Sequence, residues 1–588
     1  MTNNQSKIAI IGMGPRGMTS LERLLEAFSK DDLIQSAEII LLEEKEGQLG
    51  NSHVYALDQP DTNWINISNR ALTSMPERPD FQLRNKTIKG FPDYASWTGD
   101  IIANRGAVKM DIYCPRSHMG KYIRARFDSL FEQIKSDDQI SIYYERVNRI
   151  DHQQDSFEIA TTSGQTYTVD EVLLTIGHQP TKTSDQIKEW TDHAKDFDNL
   201  FLFPSTYPID HLMKNPEIYH QAVVGVRGFG LAMIDVARAL TIGLGGEFKV
   251  TDEASRRMSY HPSGKEPKTI VPFSLDGLPA ACKPLNDEID GWFEPHDTHR
   301  EKLQKTVRSA IANKEAVAHI TFFRKLMAEI SSDIYQNLGE KGITHELSLD
   351  ELHQLTYNWL TDEETTHKLI VDRDQSPVRS MEAFADMSTG HTPVSLDYCV
   401  GQVWRQLQPL MYVEFAFCGL QPGVMAELIA LDERIKRYSY GVPVESLRQM
   451  VALAEAGILI TELVDDPDIR PTKEGWEIEK NGTVKTATVM IDSVLDNPVL
   501  TDVDAEIINS LQEDQIIQPL HEDLGVLTTK DACVITKAKG DKIPLAITGR
   551  LAKGVLLGTD AILECFTDPV TWWAEGVADR LRQGDTGN

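Results

Sequence analysis

Two glycine-rich stretches, Gly12-Met13-Gly14-Pro15-Arg16-Gly17 and Gly228-Phe229-Gly230, carry the chemistry that the sequence makes most legible. Glycines at these spacings let the backbone turn tightly and approach a pyrophosphate, whose charge then meets the unpaired N–H groups of a following helix. Two such turns on one chain point to two dinucleotides and so to electron transfer between them. The pair expected is FAD with a nicotinamide nucleotide, NADPH or NADH. Nothing in the sequence supplies a metal or a nucleophile instead. The six cysteines are scattered with no Cys-x-x-Cys and no zinc spacing, and there is no His-Glu-x-x-His, Gly-x-Ser-x-Gly or Walker loop. No side chain is assigned as catalytic, as suits chemistry carried by a flavin.

The elements flanking the first turn occur in the order the chemistry needs. Lys7-Ile-Ala-Ile-Ile11 is an almost wholly apolar run, expected of a parallel strand covered on both faces. After the turn, Met18, Leu21, Leu24, Leu25 and Phe28 recur at helical spacing. Gly12 permits the turn, Gly14 admits the pyrophosphate, and Gly17 brings helix close to strand, with Pro15 and Arg16 between them. A second strand, Glu38-Ile-Ile-Leu-Leu42, ends in Glu43 and Glu44. Glu43 is the preferred acceptor for an adenosine ribose hydroxyl, with Glu44 the alternative.

Gln221-Ala-Val-Val-Gly-Val-Arg227 predicts the strand before the second turn, and Leu231 to Leu240 the helix after it. Met233 stands where a third small residue would let that helix pack closely. For a nucleotide carrying a 2′-phosphate, Arg256, Arg257 and Lys265 are the nearest cations in sequence, or else ordinary solvated charges. The choice between NADH and NADPH stays open.

Between the turns, Asp170-Glu-Val-Leu-Leu-Thr-Ile-Gly-His178 resembles the Asp-x-x-x-Leu/Phe-Ala-Thr-Gly-Tyr pattern of N-hydroxylating flavin monooxygenases, with Thr175-Ile176 and His178 as departures. More broadly the chain resembles a bacterial FAD/NAD(P)-binding family that includes the aspartate N-monooxygenases making nitrosuccinate. The similar stretches include the first turn, Gly50-Asn-Ser-His-Val-Tyr55, Pro115-Arg116, Tyr207-Pro208, Arg227-Gly-Phe-Gly-Leu231 with Asp235, Tyr260-His-Pro-Ser-Gly-Lys-Glu-Pro267 and Gly277-Leu-Pro279. Leu275 departs from the family's Ser-Arg-x-Gly-Leu-Pro stretch, and the Phe-x-Gly-x-x-x-His motif of Baeyer-Villiger oxidation is absent. The resemblance implies that Thr175 and Gly177 join the nucleotide domains and that the loop holding His53, Tyr55, Gln59 and Asn66 lies near the flavin. A late strand and turn, Leu545-Ala-Ile-Thr-Gly549, followed by Gly554, is expected to return to the same place. Arg16, Lys265 and Lys283 are candidate cations for a substrate carboxylate.

The fold class expected is α/β, with two Rossmann-like domains and an α-helical insert. Residues 1–200 form the first part of the FAD domain, 201–284 the NAD(P)-binding region, 285–460 the mainly helical insert and 461–588 a return to the FAD domain. The insert follows from Leu303, Val307, Ile311, Val317, Ile320, Phe323 and Leu326. With 59 basic against 89 acidic side chains, the net charge of −30 argues against nucleic acid or anionic membrane as partners. The chain starts without a signal-peptide pattern and has no membrane-length apolar run, so a cytoplasmic protein is expected, its oligomeric state open to a homo-oligomer. The function expected is oxygen transfer to the nitrogen of a small amine or amino acid. The alternatives are an NAD(P)H oxidase or reductase without oxygen transfer, or a nucleotide-binding regulator without turnover.

Overall fold

The computed structural model describes residues 5–99 and 110–585; residues 1–4, part of the start read above, lie outside them. Ten strands build two sheets. In chain order they are β1 (Ser6–Ile11), β2 (Ala37–Glu43), β3 (Ile140–Tyr144), β4 (Glu171–Leu174), β5 (Phe201–Phe203), β6 (Val223–Arg227), β7 (Thr269–Phe273), β8 (Val489–Asp492), β9 (Cys533–Ile535) and β10 (Lys542–Ile547). The first sheet runs β9-β10-β4-β1-β2-β3 and is parallel apart from the antiparallel β9–β10 pair; the second runs β5-β8-β6-β7 and is parallel throughout.

Both sheets are buried on two faces, and this is why their strands read as apolar runs. Along β1, Ile8 and Ile10 enter a core with α1 (Pro15–Ser29), α2 (Arg116–Ile134) and α11 (Asp568–Asp585). Ala9 and Ile11 enter another core, with Ile150 and Ile159 of an antiparallel three-stranded sheet beneath. In the second sheet Val224 and Val226 face one way, while Val271 and Met490 face Trp190 and Trp476 on the other.

The face bearing Val224 and Val226 is covered by helices. These are α3 (Leu231–Ala239) and then α4 (Asp297–Ala312), α5 (Thr321–Asn337), α6 (Leu349–Thr361), α7 (Pro377–Ser388), α8 (Leu396–Phe415), α9 (Pro422–Ser439) and α10 (Val444–Glu455). The helical periodicity read from Leu303 to Leu326 belongs to α4 and α5. One expectation needs correction: from residue 461 the chain does not return directly to the first sheet. It first adds β8 to the second sheet, between β5 and β6, and only then supplies β9 and β10 to the first. A four-residue apolar strand carries no signal of which parallel sheet it will join, since both offer the same backbone ladder. No helix among the described residues is long and apolar enough to cross a membrane.

A buried ionic knot fixes α1 against α2 and the segment between β2 and α2. Glu22 of α1 accepts from Arg126 of α2 (Nη2 to Oε2, 2.8 Å; Nε to Oε1, 3.0 Å) and from Arg78 (Nη1 to Oε1, 3.0 Å). All three side chains are at most 4% exposed. Glu22→Ala would strand two guanidinium groups in the core, so unfolding by denaturant should show a loss of about 3–5 kcal/mol. A loss below about 1 kcal/mol would mean that water reaches the arginines.

Candidate functional site

The first glycine turn follows directly from β1. Gly12 has φ +90° and donates its N–H to Leu42 O of β2 at 2.8 Å. A Cβ at Gly12 would lie 2.8 Å from the Thr175 carbonyl oxygen, and one at Gly17 would lie 2.0 Å from the Gly12 carbonyl oxygen. Both positions therefore exclude any side chain. Gly14 caps α1 without a side-chain hydrogen bond, Pro15 is the first helical residue, and the opening N–H groups stay available to an anion. The Glu43 carboxylate accepts from Met13 N–H at 2.7 Å, and burial raises its pKa; Glu44 is exposed. Of the two acids, Glu43 faces the turn.

Several distant segments close around this turn. Thr175 donates its hydroxyl to the Gly12 carbonyl, and Gly177 (φ +70°) turns the chain out of β4. Gly549 (φ +81°) ends β10 against the Arg16 side chain, where a Cβ would lie 2.9 Å from Nε. Gly554 instead packs beside Leu520 and Leu524. In the 51–66 loop, His53 is exposed, and burial raises the pKa of the Tyr55 phenol. Gln59 is spent inside the loop, donating to Val54 O and Ala56 O at 3.1 Å each. Asn66 donates to Tyr440 O at 2.6 Å.

The same segments expose a mismatch in hydrogen bonding that a polar ligand would resolve. Asn51 Oδ1, Asn63 Oδ1, Asn66 Oδ1, Thr548 Oγ1 and Thr559 Oγ1 are all buried without a partner. Each such atom costs about 1–3 kcal/mol unless something pairs with it. Together with the glycine cradle, these orphaned atoms fit a large polar cofactor such as FAD.

Glu564 was not singled out in the sequence, although it is a lone acid in the apolar run Leu563-Glu564-Cys565-Phe566. Its carboxyl accepts from Tyr440 Oη at 2.8 Å and from Ala561 N–H at 2.8 Å. Burial, reinforced by Asp560, pushes its pKa up to about 7, against the pull of Arg16. A carboxyl so tuned can hold or release a proton near neutrality. Lys283 is the other tuned group. Burial, with Arg405 adding to it, brings its pKa down to about 7, and its ammonium donates to Asn66 O.

The second turn repeats the first. Gly228 (φ +116°) donates its N–H to Phe273 O of β7 at 2.7 Å, and Gly230 caps α3 with open space where its Cβ would stand. Met233 is buried in the helical core, so this helix packs on its strand through a long side chain. A buried clamp joins the two nucleotide folds: Arg116, first residue of α2, donates to Asp235 of α3 at 3.0 Å, and Tyr207 Oη donates to the same oxygen at 2.7 Å. The Arg238 guanidinium lies 3.8 Å from the centre of the Trp64 ring.

The cations expected to meet a 2′-phosphate lie elsewhere. Arg256 is bound to Glu253, Arg257 lies 3.6 Å from Asp386, and Lys265 precedes Lys268, whose N–H donates to Ala222 O at 2.8 Å. All three fall on the approach to the N-terminal end of β7, whereas the glycine turn lies at the C-terminal ends of the strands. A right-handed β-α-β crossover must return to the starting edge of the sheet, so cations on the returning segment are at the wrong end.

Residues 9–179 match a family model described as FAD-NAD(P)-binding. The chain is 24% identical over 544 residues, 86% of its length and 80% of the other's, to "Nitrosuccinic acid synthase npaA" of Aspergillus oryzae. It is also 24% identical over 334 residues to "L-aspartate N-monooxygenase (nitrosuccinate-forming)" of Streptomyces davaonensis, a match covering 53% of this chain and about half (49%) of that protein. The likeness thus extends beyond bacteria. Against the reduced form of ornithine hydroxylase from Pseudomonas aeruginosa the TM-score is 0.44 at 12% identity, over 98% of this chain and 100% of that one.

Two outcomes follow from the geometry. Gly14 has an ordinary φ of −69°, so Gly14→Ala should keep the far-ultraviolet circular dichroism while its methyl, 3.1 Å from Ser52 Cβ, weakens FAD binding about ten-fold or more; unchanged FAD affinity would refute the cradle. Glu564 has a raised folded pKa, so its neutral form stabilises the fold fully below pH 4.5, and that contribution is lost as pH rises to about 7. Relative to Glu564→Gln, the native protein should lose about 3 kcal/mol across that window, measured as unfolding free energy; a flat difference would mean that the carboxyl is solvated.

Proposed function

We propose that this chain is an FAD-dependent, NAD(P)H-using monooxygenase that hydroxylates the nitrogen of a small amine or amino acid. The observation that carries the reading is the pair of open glycine turns, one at the C-terminal edge of each parallel sheet, joined by the Arg116–Asp235 pair. The activities for which the two similar proteins are named support it, and aspartate, in the name of one of them, is the first substrate to try.

In this reading the turn from Gly12 to Gly17, with Glu43, holds the ADP portion of FAD. Asn51, Asn63, Asn66, Thr548 and Thr559 supply the buried hydrogen-bonding groups along the rest of the cofactor. Gly228 and Gly230 hold the nicotinamide nucleotide. Once bound, these groups supply hydride transfer to the flavin and oxygen activation by the reduced flavin. The chain's own part is to bind, orient and exclude water. Lys283 offers a half-buried cation for a substrate carboxylate, and its low pKa makes that offer dependent on the charge the substrate brings. Glu564 and Tyr440 hold a proton between the first turn and the helical insert. The insert completes the division of the chain into an FAD region, an NAD(P) region and a cover, working in the cytoplasm.

The test is reduction of the FAD-loaded protein by NADH or NADPH without oxygen, then admission of oxygen with a panel of amines led by aspartate. Bleaching of the flavin followed by N-oxygenated product in proportion to nucleotide consumed is the expected result. Nucleotide consumed with hydrogen peroxide and no product across the panel would make the protein an oxidase. Flavin that neither nucleotide reduces would leave a binding protein.

A further inference from the structure

We infer that the second nucleotide site is built for NADH and discriminates against NADPH, with the segment Ser274-Leu275-Asp276 as the selecting element. The inference deepens the reading above and rests on its use of a nicotinamide nucleotide.

The two nucleotide folds supply an internal alignment. In the first, Gly12 N–H donates to Leu42 O, and the next residue on β2 is Glu43, the acid that faces the turn. In the second, Gly228 N–H donates to Phe273 O at the same place in the ladder, with Arg227 level with Phe273 as Ile11 is with Leu42. The residues after Phe273 therefore occupy the position where a β-α-β nucleotide fold meets the adenosine ribose. A carboxylate there accepts from a free 2′-hydroxyl, whereas a 2′-phosphate needs a guanidinium or ammonium group. A phosphate carries about −1.5 to −2 charges and is recognised through paired N–H donors.

At this position the chain presents Ser274, then Leu275, 87% exposed and the most exposed large apolar side chain among the described residues, then Asp276. A leucine held in water at the end of a buried strand contributes nothing to packing and offers no donor to an anion. The segment lying alongside adds acids rather than cations: Ser274 N–H donates to Val464 O, and Asp466 N–H donates back to Ser274 O, both at 2.7 Å, bringing Asp465 and Asp466 beside the loop. The cations near it are already held, Arg227, level with Phe273 on the neighbouring strand, by Asp492 at 3.0 Å. Arg437 donates to the Asp276 carboxylate and to Leu278 O, and Lys480 donates to Asp465. Four carboxylates, Asp276, Asp465, Asp466 and Asp492, against three engaged cations repel a 2′-phosphate, while Ser274 and Asp276 can accept from a 2′-hydroxyl.

The test reads binding separately from turnover. The FAD-loaded protein is titrated by calorimetry with NAD+ and with NADP+, and flavin bleaching is followed with NADH and NADPH. NAD+ should bind at least about ten-fold more tightly, and NADH should bleach the flavin at correspondingly lower concentration. Leu275→Arg should shift the NADP+ to NAD+ affinity ratio at least about ten-fold toward NADP+. Tighter or equal binding of NADP+ by the native protein overturns the inference, as does binding of neither. If NAD+ binds preferentially but neither reduced nucleotide bleaches the flavin, the selectivity stands and the monooxygenase reading falls.

Discussion

The arrangement depends on one largely buried ion pair, with Asp235 enclosed and Arg116 partly open to water. Arg116 opens the helix that packs on the first sheet, Asp235 lies within the helix that follows the second glycine turn, and their contact sets how one turn faces the other. Asp235 is buried, and burial raises its pKa, with Arg116 and the Tyr207 hydroxyl pulling the other way. Such a pair gains little over two apolar residues, but either partner alone in that place would be costly. Its contribution is therefore geometric, since a sliding contact of leucines would not fix one orientation. Trp64 against Arg238 extends the same join by stacking a flat cation on a ring across the two folds.

The helical layer follows from a requirement of the second sheet. Val224, Val226, Ile270, Val489 and Ile491 form an apolar face that α3 alone does not cover. The insert encloses it, and the same helices bring Tyr440 and Arg437 next to loops of both nucleotide folds. Cover and site are in this sense one construction. The Tyr440 hydroxyl meets Glu564 while the carbonyl of the same residue accepts from Asn66, so the insert joins the two segments that flank the first turn.

Sequence made legible what is encoded locally. Glycines beside an apolar strand, a helical repeat after them and an acid at the end of the next strand are all set within some forty residues, and in the structure Glu43 accepts from the Met13 N–H of that turn. What escaped is encoded by pairing across the chain. Residues 489–492 are as apolar as any core strand, and nothing in Val-Met-Ile-Asp says that they belong between β5 and β6. Arg256 and Lys265 were near the second turn in sequence but far from it in space, because the crossover carries them to the other edge. Glu564 left only a faint sign, an acid among apolar neighbours, and its tuning comes from Asp560, Arg16 and enclosure. Leu275 carried the opposite kind of signal, a missing arginine, and its meaning depended on knowing which end of which strand it followed.

The first sheet is assembled from both extremities of the described chain. β4 lies between β1, formed from residues 6–11, and β10, formed from residues 542–547, while α11 packs on α1. On a ribosome, which delivers the chain from its N-terminus, the glycine turn emerges more than five hundred residues before the strand and helix that complete its surroundings. Until then one edge of β4 and one face of α1 are bare. The second sheet, complete at residue 492, can close earlier. The first glycine turn is thus the earlier in sequence and the later to be completed, because its surroundings wait for residues 533–585.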